Sequence, residues 1–167
     1  MNNLQDDMHV LRKQLADGHV QRAYEGLLRY FNQLKRYFHN NHPEINTPGS
    51  VYYGYMDMTY FGLSNDFLKN RKLKIGIVFS YETFSFEGWL IGVNSDVREE
   101  YWEKMHAGRH EKYDYSSDPK REGFIIKQTL VSDPDFSDLD KLTMRIEAGT
   151  LALIQEVEKM LLNLEEN

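Results

Sequence analysis

The sequence contains no cysteine. Disulfide bonds and thiolate metal sites are therefore excluded, and the composition fits a reducing compartment. No apolar run approaches the roughly 18 residues that a membrane-spanning helix needs. The first residues, 1–8, are polar and acidic rather than basic and then apolar, as a secretory signal would be. We therefore expect a cytoplasmic protein with no membrane partner.

The chain also lacks an excess of positive charge. Its 20 basic and 26 acidic residues give a formal net charge of -6 at pH 7. Such a balance repels a phosphate backbone unless the basic groups cluster strongly. The densest basic cluster, residues 69–74, lies at a predicted turn, where such groups are usually solvated. Nucleic-acid binding is therefore disfavoured.

Aromatic residues, in contrast, are abundant. They make up 13% of the 167 residues, which supplies enough apolar area to offset the entropy of ordering the chain. The length is typical of one domain, and no low-complexity linker or shift in composition divides it. We predict a single domain over residues 1–167.

Helical spacing of apolar residues predicts a hairpin of two helices at the N terminus, over 4–16 and 20–40. Polar N-cap residues ahead of an apolar pattern predict a third helix over 96–107. A last apolar stripe predicts C-terminal helices within 138–163, divided at Gly149 because glycine is a poor helix former.

Patterns of period two, rich in aromatic and β-branched residues, predict about four strands over 51–61, 72–80, 83–93 and 124–131. The first three form a meander, and short connections of this kind join antiparallel neighbours. The fold class is therefore α+β, a mainly antiparallel sheet packed with the helices.

Alternation along the second and third strands gives the sheet one apolar face and one mixed face. To bring the two apolar faces together we pair Phe79 with Phe84 around a short turn. This register places Lys74 opposite Trp89 on the mixed face. The sequence therefore predicts polar and aromatic side chains side by side on one face of the sheet.

Two carboxylates and a lysine are predicted to meet on the mixed face: Asp57, Glu87 and Lys74. Acids that hold Mg²⁺ and a lysine that steadies the attacking water are the ingredients of a magnesium-dependent nuclease, so these three are the candidate catalytic residues. The familiar spacing, with acid and lysine two residues apart on one strand, is missing. The alternative is a cross-strand ion pair of Lys74 with Glu87.

The segment 51–61, VYYGYMDMTYF, is the most unusual local feature. Tyrosine combines apolar area with a hydroxyl that seeks a hydrogen-bond partner. One interpretation is an inner strand packed under helices; the other is the wall of a ligand pocket or a partner surface. On the second interpretation the ligand-binding residues are Tyr53, Tyr55, Asp57 and Trp89.

Motifs of other classes are missing. His106 and His110 stand four residues apart, but Gly108 lies between them and no HExxH motif is formed. No serine lies in a GxSxG elbow, and no glycine-rich loop matches a phosphate cradle. We therefore expect no cofactor and no metal.

The segments YGYMDMTYF, RKLKIGIVFSYETFSFEGWL, VSDPDFSDLD and IEAGTLALI resemble an uncharacterised bacterial family of unknown function, along nearly the whole chain. The resemblance implies an intact domain and supplies no reaction or cofactor. The leading hypothesis is a binding or interaction domain for a small ligand or a protein partner, acting through its aromatic sheet face. The alternative is a metal-dependent hydrolase or nuclease-like enzyme. A third hypothesis is a homodimer formed through an exposed helix stripe or an edge strand.

Overall fold

The computed structural model describes residues 3–166. Within this range the helices are α1 (Leu4–Leu15), α2 (His19–Asn41), α3 (Asp66–Asn70), α4 (Ser95–His106) and α5 (Leu139–Glu165). The strands are β1 (Met58–Leu63), β2 (Leu73–Ser80), β3 (Ser85–Gly92), β4 (Asp114–Tyr115) and β5 (Ile126–Val131). The predicted helix hairpin and the predicted helix after β3 are confirmed.

The strands of the described residues form one sheet in the order β1-β2-β3-β5-β4, with every pair antiparallel. The chain leaves β3 through α4, crosses to the far edge as β4, and returns as β5 beside β3. The predicted α+β class is therefore confirmed. The short edge strand β4 has no periodic pattern of its own and was not predicted.

The apolar face of the sheet packs against α2 and α5. Phe31 of α2 stacks on Phe86 of β3, with ring centroids 5.8 Å apart, and meets Phe61 of β1 edge-on at 6.1 Å. All three side chains are fully buried, and burying one such side chain stabilises the folded state by about 1.5–3 kcal/mol. This face therefore holds the main core, as the alternation predicted.

Helix α5 is continuous, so the predicted division at Gly149 is wrong. A Cβ atom at Gly149 would lie 3.1 Å from the Leu130 side chain of β5, and one at Gly88 of β3 would lie 2.5 Å from Leu153 of α5. The two glycines thus let helix and sheet approach closely. Tertiary packing outweighs the low helix propensity of glycine here.

The predicted first strand, 51–61, is a hairpin in which only β1 is a regular strand. Tyr52 pairs with Tyr60 across it, and the chain reverses between them. Gly54 has φ 71° and Met56 has φ 61°, and the Asp57 carboxylate accepts a hydrogen bond of 2.9 Å from the Tyr55 amide. Glycine and aspartate are turn formers, and in this segment they outweigh the β propensity of the tyrosines.

The predicted register of β2 and β3 is wrong by two residues. Phe79 pairs with Phe86 rather than Phe84, and Lys74 pairs with Ile91 rather than Trp89. The turn is longer than expected because Phe84 has φ 50° and lies outside the strand. A shift of two residues preserves the side-chain alternation, so the predicted apolar and mixed faces are confirmed.

We expect Gly54→Ala to destabilise the protein more than Gly49→Ala does. Both glycines have positive φ, 71° and 72°, but a Cβ atom at Gly54 would overlap the carbonyl oxygen of Met58, whereas the space around Gly49 is open. The left-handed conformation costs an alanine about 1 kcal/mol, and the overlap adds to it at Gly54 alone. Urea unfolding measures both free energies, and equal losses would contradict the hairpin geometry.

Candidate functional site

The mixed face of the sheet carries a second, smaller apolar cluster. Its members belong to β1, β2 and β3, with one residue just before β5: Val78, Trp89, Ile91 and Phe124, with Met58 and Tyr60 packed against them. No helical residue belongs to this cluster. The two faces of the sheet are therefore covered differently.

A cavity of about 680 Å³ opens on the mixed face. We call it the sheet cavity. Its walls come from the hairpin, the end of β2, the centre of the sheet and the segment around β4: Met56, Asp57, Met58, Ser80, Tyr81, Glu82, Trp89, Asp114, Tyr115, Ser117, Glu122, Phe124 and Lys127. The volume lies within the roughly 300–1,000 Å³ typical of small-molecule sites.

Glu87 anchors the aromatic floor of this cavity. Its carboxylate is 4% exposed and accepts hydrogen bonds from Trp89 Nε1 at 2.7 Å and from Lys127 Nζ at 3.4 Å. The Thr83 hydroxyl adds a third at 3.2 Å. A carboxylate removed from water needs such partners. The bond to Trp89 also fixes the plane of the indole ring.

Lys127 of β5 completes the floor. Its Nζ atom lies 5.7 Å from the Trp89 ring centre and 5.4 Å from that of Phe124, distances at which an ammonium is attracted by an aromatic face. The two rings are themselves 4.9 Å apart. Trp89, Phe124 and Lys127 thus form one packed platform.

Helix α4 holds the wall of the cavity that follows β4. The Arg98 guanidinium donates to the Pro119 carbonyl at 2.7 Å, and Trp102 Nε1 donates to the Ser116 carbonyl at 2.8 Å. Both carbonyls belong to a segment without regular structure, which needs such external donors. The position of this wall therefore depends on α4.

Carboxylates outnumber ammonium groups along the cavity. Within the described range, its lining holds four acids and one lysine: Asp57, Glu82, Asp114, Glu122 and Lys127. Hydrogen bonds from the backbone of Tyr55 and Met58 lower the pKa of Asp57. The lysine is already paired with Glu87. The cavity therefore carries net negative charge.

The Glu122 carboxylate is hydrogen-bonded to two serines of the segment that follows β4. Its oxygens accept from the Ser116 hydroxyl at 2.6 Å, and from the Ser117 hydroxyl and amide, both at 2.8 Å. The Ser116 hydroxyl, then the Ser117 hydroxyl, lower the pKa of Glu122 to about 2. A carboxylate with several donors favours its charged form in this way.

The structure brings together only some of the predicted site residues. Asp57 and Trp89 line the same cavity, and Glu87 lies beside Trp89. Lys74 of β2 instead lies opposite Ile91 of β3, and its side chain lies next to Gly62 of β1. In the described chain the lysine that pairs with Glu87 is Lys127, so the alternative of a Lys74–Glu87 ion pair is wrong.

The two tyrosines predicted to bind ligand lie outside the sheet cavity. Tyr55 is 92% exposed. The hydroxyl of Tyr53 accepts a hydrogen bond of 3.3 Å from Asn32 of α2, and its carbonyl accepts one of 2.8 Å from Thr59. These contacts follow from the hairpin, which turns both residues away from the sheet.

Sequence reasoning missed Lys127 and Phe124 as members of the site. Both lie in the predicted fourth strand, and in the structure Lys127 pairs with Trp89 and does not join the buried Ile126 beside it in the main core. Which strand lies beside them depends on the crossover from β3 to β5, for which the pattern carries no signal.

An apolar cleft of about 540 Å³ adjoins the sheet cavity, and both include Met56 and Tyr81. It lies between the first half of α2 and the turn joining β2 to β3. Phe84 and Phe136 form part of its rim and are 58% and 38% exposed. Met56 thus stands between two concave surfaces.

The described residues contain no group of three or more histidine, aspartate or glutamate side chains arranged to hold a metal ion. His106 stacks on Trp102, with ring centroids 4.4 Å apart. In the same range of the chain, no helix has the length and apolar character needed to cross a membrane. The cytoplasmic location stays a prediction.

A family described as "Domain of unknown function (DUF7000)" matches residues 4–161. The chain belongs to this family. The match runs from the start of α1 into the last turns of α5, so the DUF7000 region contains every wall of the sheet cavity. The resemblance to an uncharacterised family is thereby confirmed. Neither the curated proteins nor the solved structures gave a significant match.

We expect the stabilising effect of Glu122 to disappear in acid. Because its pKa is lowered from 4.5 to about 2, its contribution is present above pH 4.5 and is lost as the pH falls through 2. The free energy of unfolding of wild type should therefore exceed that of Glu122→Gln at pH 6 and approach it at about pH 2, as measured by urea unfolding.

The Glu111→Gln variant removes an exposed carboxylate from the same segment and serves as the control for net charge. A difference between wild type and Glu122→Gln that stays constant with pH would show that the serine hydrogen bonds do not stabilise the charged form.

Proposed function

We propose that this domain binds a small, flat organic cation in the sheet cavity. The observation that carries the proposal is the platform of Trp89, Phe124 and Lys127 inside a cavity of about 680 Å³ whose remaining polar lining is mainly acidic. Pockets with a few convergent polar groups on an aromatic floor are typical ligand sites.

Preorganisation of the floor supports a flat ligand. Trp89 and Phe124 are 9% and 8% exposed, and Glu87 holds the Trp89 indole at 2.7 Å, so a planar group that packs against the exposed part of the platform meets side chains that are already ordered. Aromatic rings favour offset stacking, worth about 0.5–1.5 kcal/mol beyond the area they bury.

Charge supports a cation. The lowered pKa values of Asp57 and Glu122 keep both groups ionised at neutral pH. Glu82 and Asp114 also line the cavity, and neither forms an ion pair in the described residues. A concave site lined by one sign of charge concentrates the field and attracts the opposite charge.

The other hypotheses have less support. The separation of Lys74 from Asp57 removes the lysine on which the nuclease-like reaction depended. A protein partner remains compatible with the open rim, but the concave floor suits a small molecule better than a protein surface.

We expect saturable binding that is reported by Trp89. The chain has two tryptophans, and Trp102 donates to the Ser116 carbonyl of the cavity wall, so the fluorescence is measured on the wild type and Trp89→Phe removes the reporting ring. Aromatic quaternary ammonium and N-alkylpyridinium compounds should change the fluorescence of the wild type much more than that of Trp89→Phe. They should also raise the melting temperature of the wild type, because a ligand that binds only the folded state stabilises it.

Variants of the cavity rim test the charge. Glu82→Gln and Asp114→Asn should each weaken binding by about 2- to 5-fold, the size of one exposed charge interaction. Glu25→Gln removes an exposed acid on α2, paired with Arg29 and outside the cavity lining, and should have no effect. Equal binding of carboxylate analogues of the same ring systems would contradict the proposal.

A further inference from the structure

Helix α1 presents an apolar stripe that the described residues leave largely uncovered. Leu4, Met8 and Leu11 on this stripe are 73%, 51% and 42% exposed, and α1 contains no buried residue. A helix of 12 residues is marginal in water without packing against another surface. The stripe therefore has the character of an interface.

The spacing of the stripe is that of a coiled coil. Leu4, Met8, Leu11 and Leu15 follow one another at intervals of four, three and four residues. This assigns Met8 and Leu15 to a positions and Leu4 and Leu11 to d positions of a heptad. Such a seam packs against a second helix with the same pattern.

The flanking charges select the orientation. Asp7 occupies a g position and Arg12 the e position five residues later, and a parallel pair brings g of one helix beside e of the other. A parallel pair of identical helices thus forms two Asp7–Arg12 contacts between chains. In an antiparallel pair, Asp7 would face Gln14 instead. Neither Asp7 nor Arg12 forms an ion pair within residues 3–166.

We propose that α1 is a dimerisation element that forms a parallel, two-fold symmetric coiled coil with α1 of a second copy of this chain. The interface is isologous, with each stripe residue facing its own counterpart. Four layers of side chains make a short seam, so dimerisation depends on protein concentration in the micromolar range or above.

Charge reversal tests the pairing. Molecular mass, measured by sedimentation equilibrium across a concentration series, should show a dimer for wild type. Asp7→Arg or Arg12→Asp places like charges together twice, and each should weaken dimerisation by about 10-fold. The double variant Asp7→Arg/Arg12→Asp restores both contacts and should recover the wild-type affinity.

Matched controls are available at f positions, which point away from the seam. Asp6→Arg and Lys13→Asp change the net charge by the same amounts as the test variants and should leave the dimer intact. Circular dichroism of every variant separates a loss of pairing from a loss of folding.

Cross-linking tests the orientation directly, because the natural chain has no cysteine. A parallel seam places Leu11 opposite Leu11, so oxidised Leu11→Cys should form a covalent dimer, whereas Lys13→Cys should not. An antiparallel seam places Leu11 opposite Met8, and then only a mixture of Met8→Cys and Leu11→Cys would cross-link.

Two results would overturn the proposal. One is a monomer at every concentration. The other is a dimer that withstands both charge reversals but is lost on Phe84→Ser, which would show that α1 docks into the apolar cleft of the second copy rather than onto its α1.

Discussion

Both long helices pack against the same face of the sheet, and they do so at close range. Gly88 and Gly149 leave room for Leu153 and Leu130 where α5 crosses the strands, while α2 contributes aromatic rings beside it. The buried apolar residues of α2 and α5 all lie on this face. The opposite face must be covered by whatever remains of the chain, which is the hairpin before β1 and the segment around β4.

The hairpin and the segment around β4 cover the mixed face mainly with polar groups, whereas the helices cover the other face with apolar side chains. The segment around β4 is held by donors from α4 and by the Glu122 carboxylate, in addition to the packing of Tyr113 in the main core. Hydrogen-bonded loops fill space less completely than helices whose side chains interdigitate. The result is a concave surface where the hairpin, the sheet and this segment meet. The indole of Trp89, which is hydrogen-bonded to Glu87, forms its ordered floor.

Much of this architecture is visible in the sequence, because periodicity directly reflects which side chains are buried. The N-terminal helix hairpin, the class of the sheet and its two unlike faces follow from spacing, whereas the continuity of α5 through Gly149 does not. The register did not, since the position of Phe79 against Phe86 depends on the left-handed conformation of Phe84. A period of two is unchanged by a shift of two residues, so no alternation pattern distinguishes the two registers.

The site was predicted in part for the same reason. Glu87 and Trp89 share a region because they share a face of β3, whereas Asp57 reaches the cavity from the turn of the hairpin. Lys127 replaces Lys74 because the true register of β2 and β3 moves Lys74 opposite Ile91, while β5 on the other side of β3 places Lys127 opposite Trp89. The position of β5 after a long crossover is set by tertiary packing rather than by local pattern. The turn residues Gly54 and Asp57 carried a signal for the hairpin that the surrounding tyrosines concealed.

Met56 connects the two concave surfaces of the protein. Its backbone is held in a conformation that costs a residue of this type about 1–3 kcal/mol, and its side chain belongs to the walls of both the sheet cavity and the apolar cleft. A molecule that displaces this side chain from one side alters the volume on the other. By thermodynamic linkage the effect is mutual. A ligand bound in either concavity would therefore change the affinity of the other concavity for its own ligand.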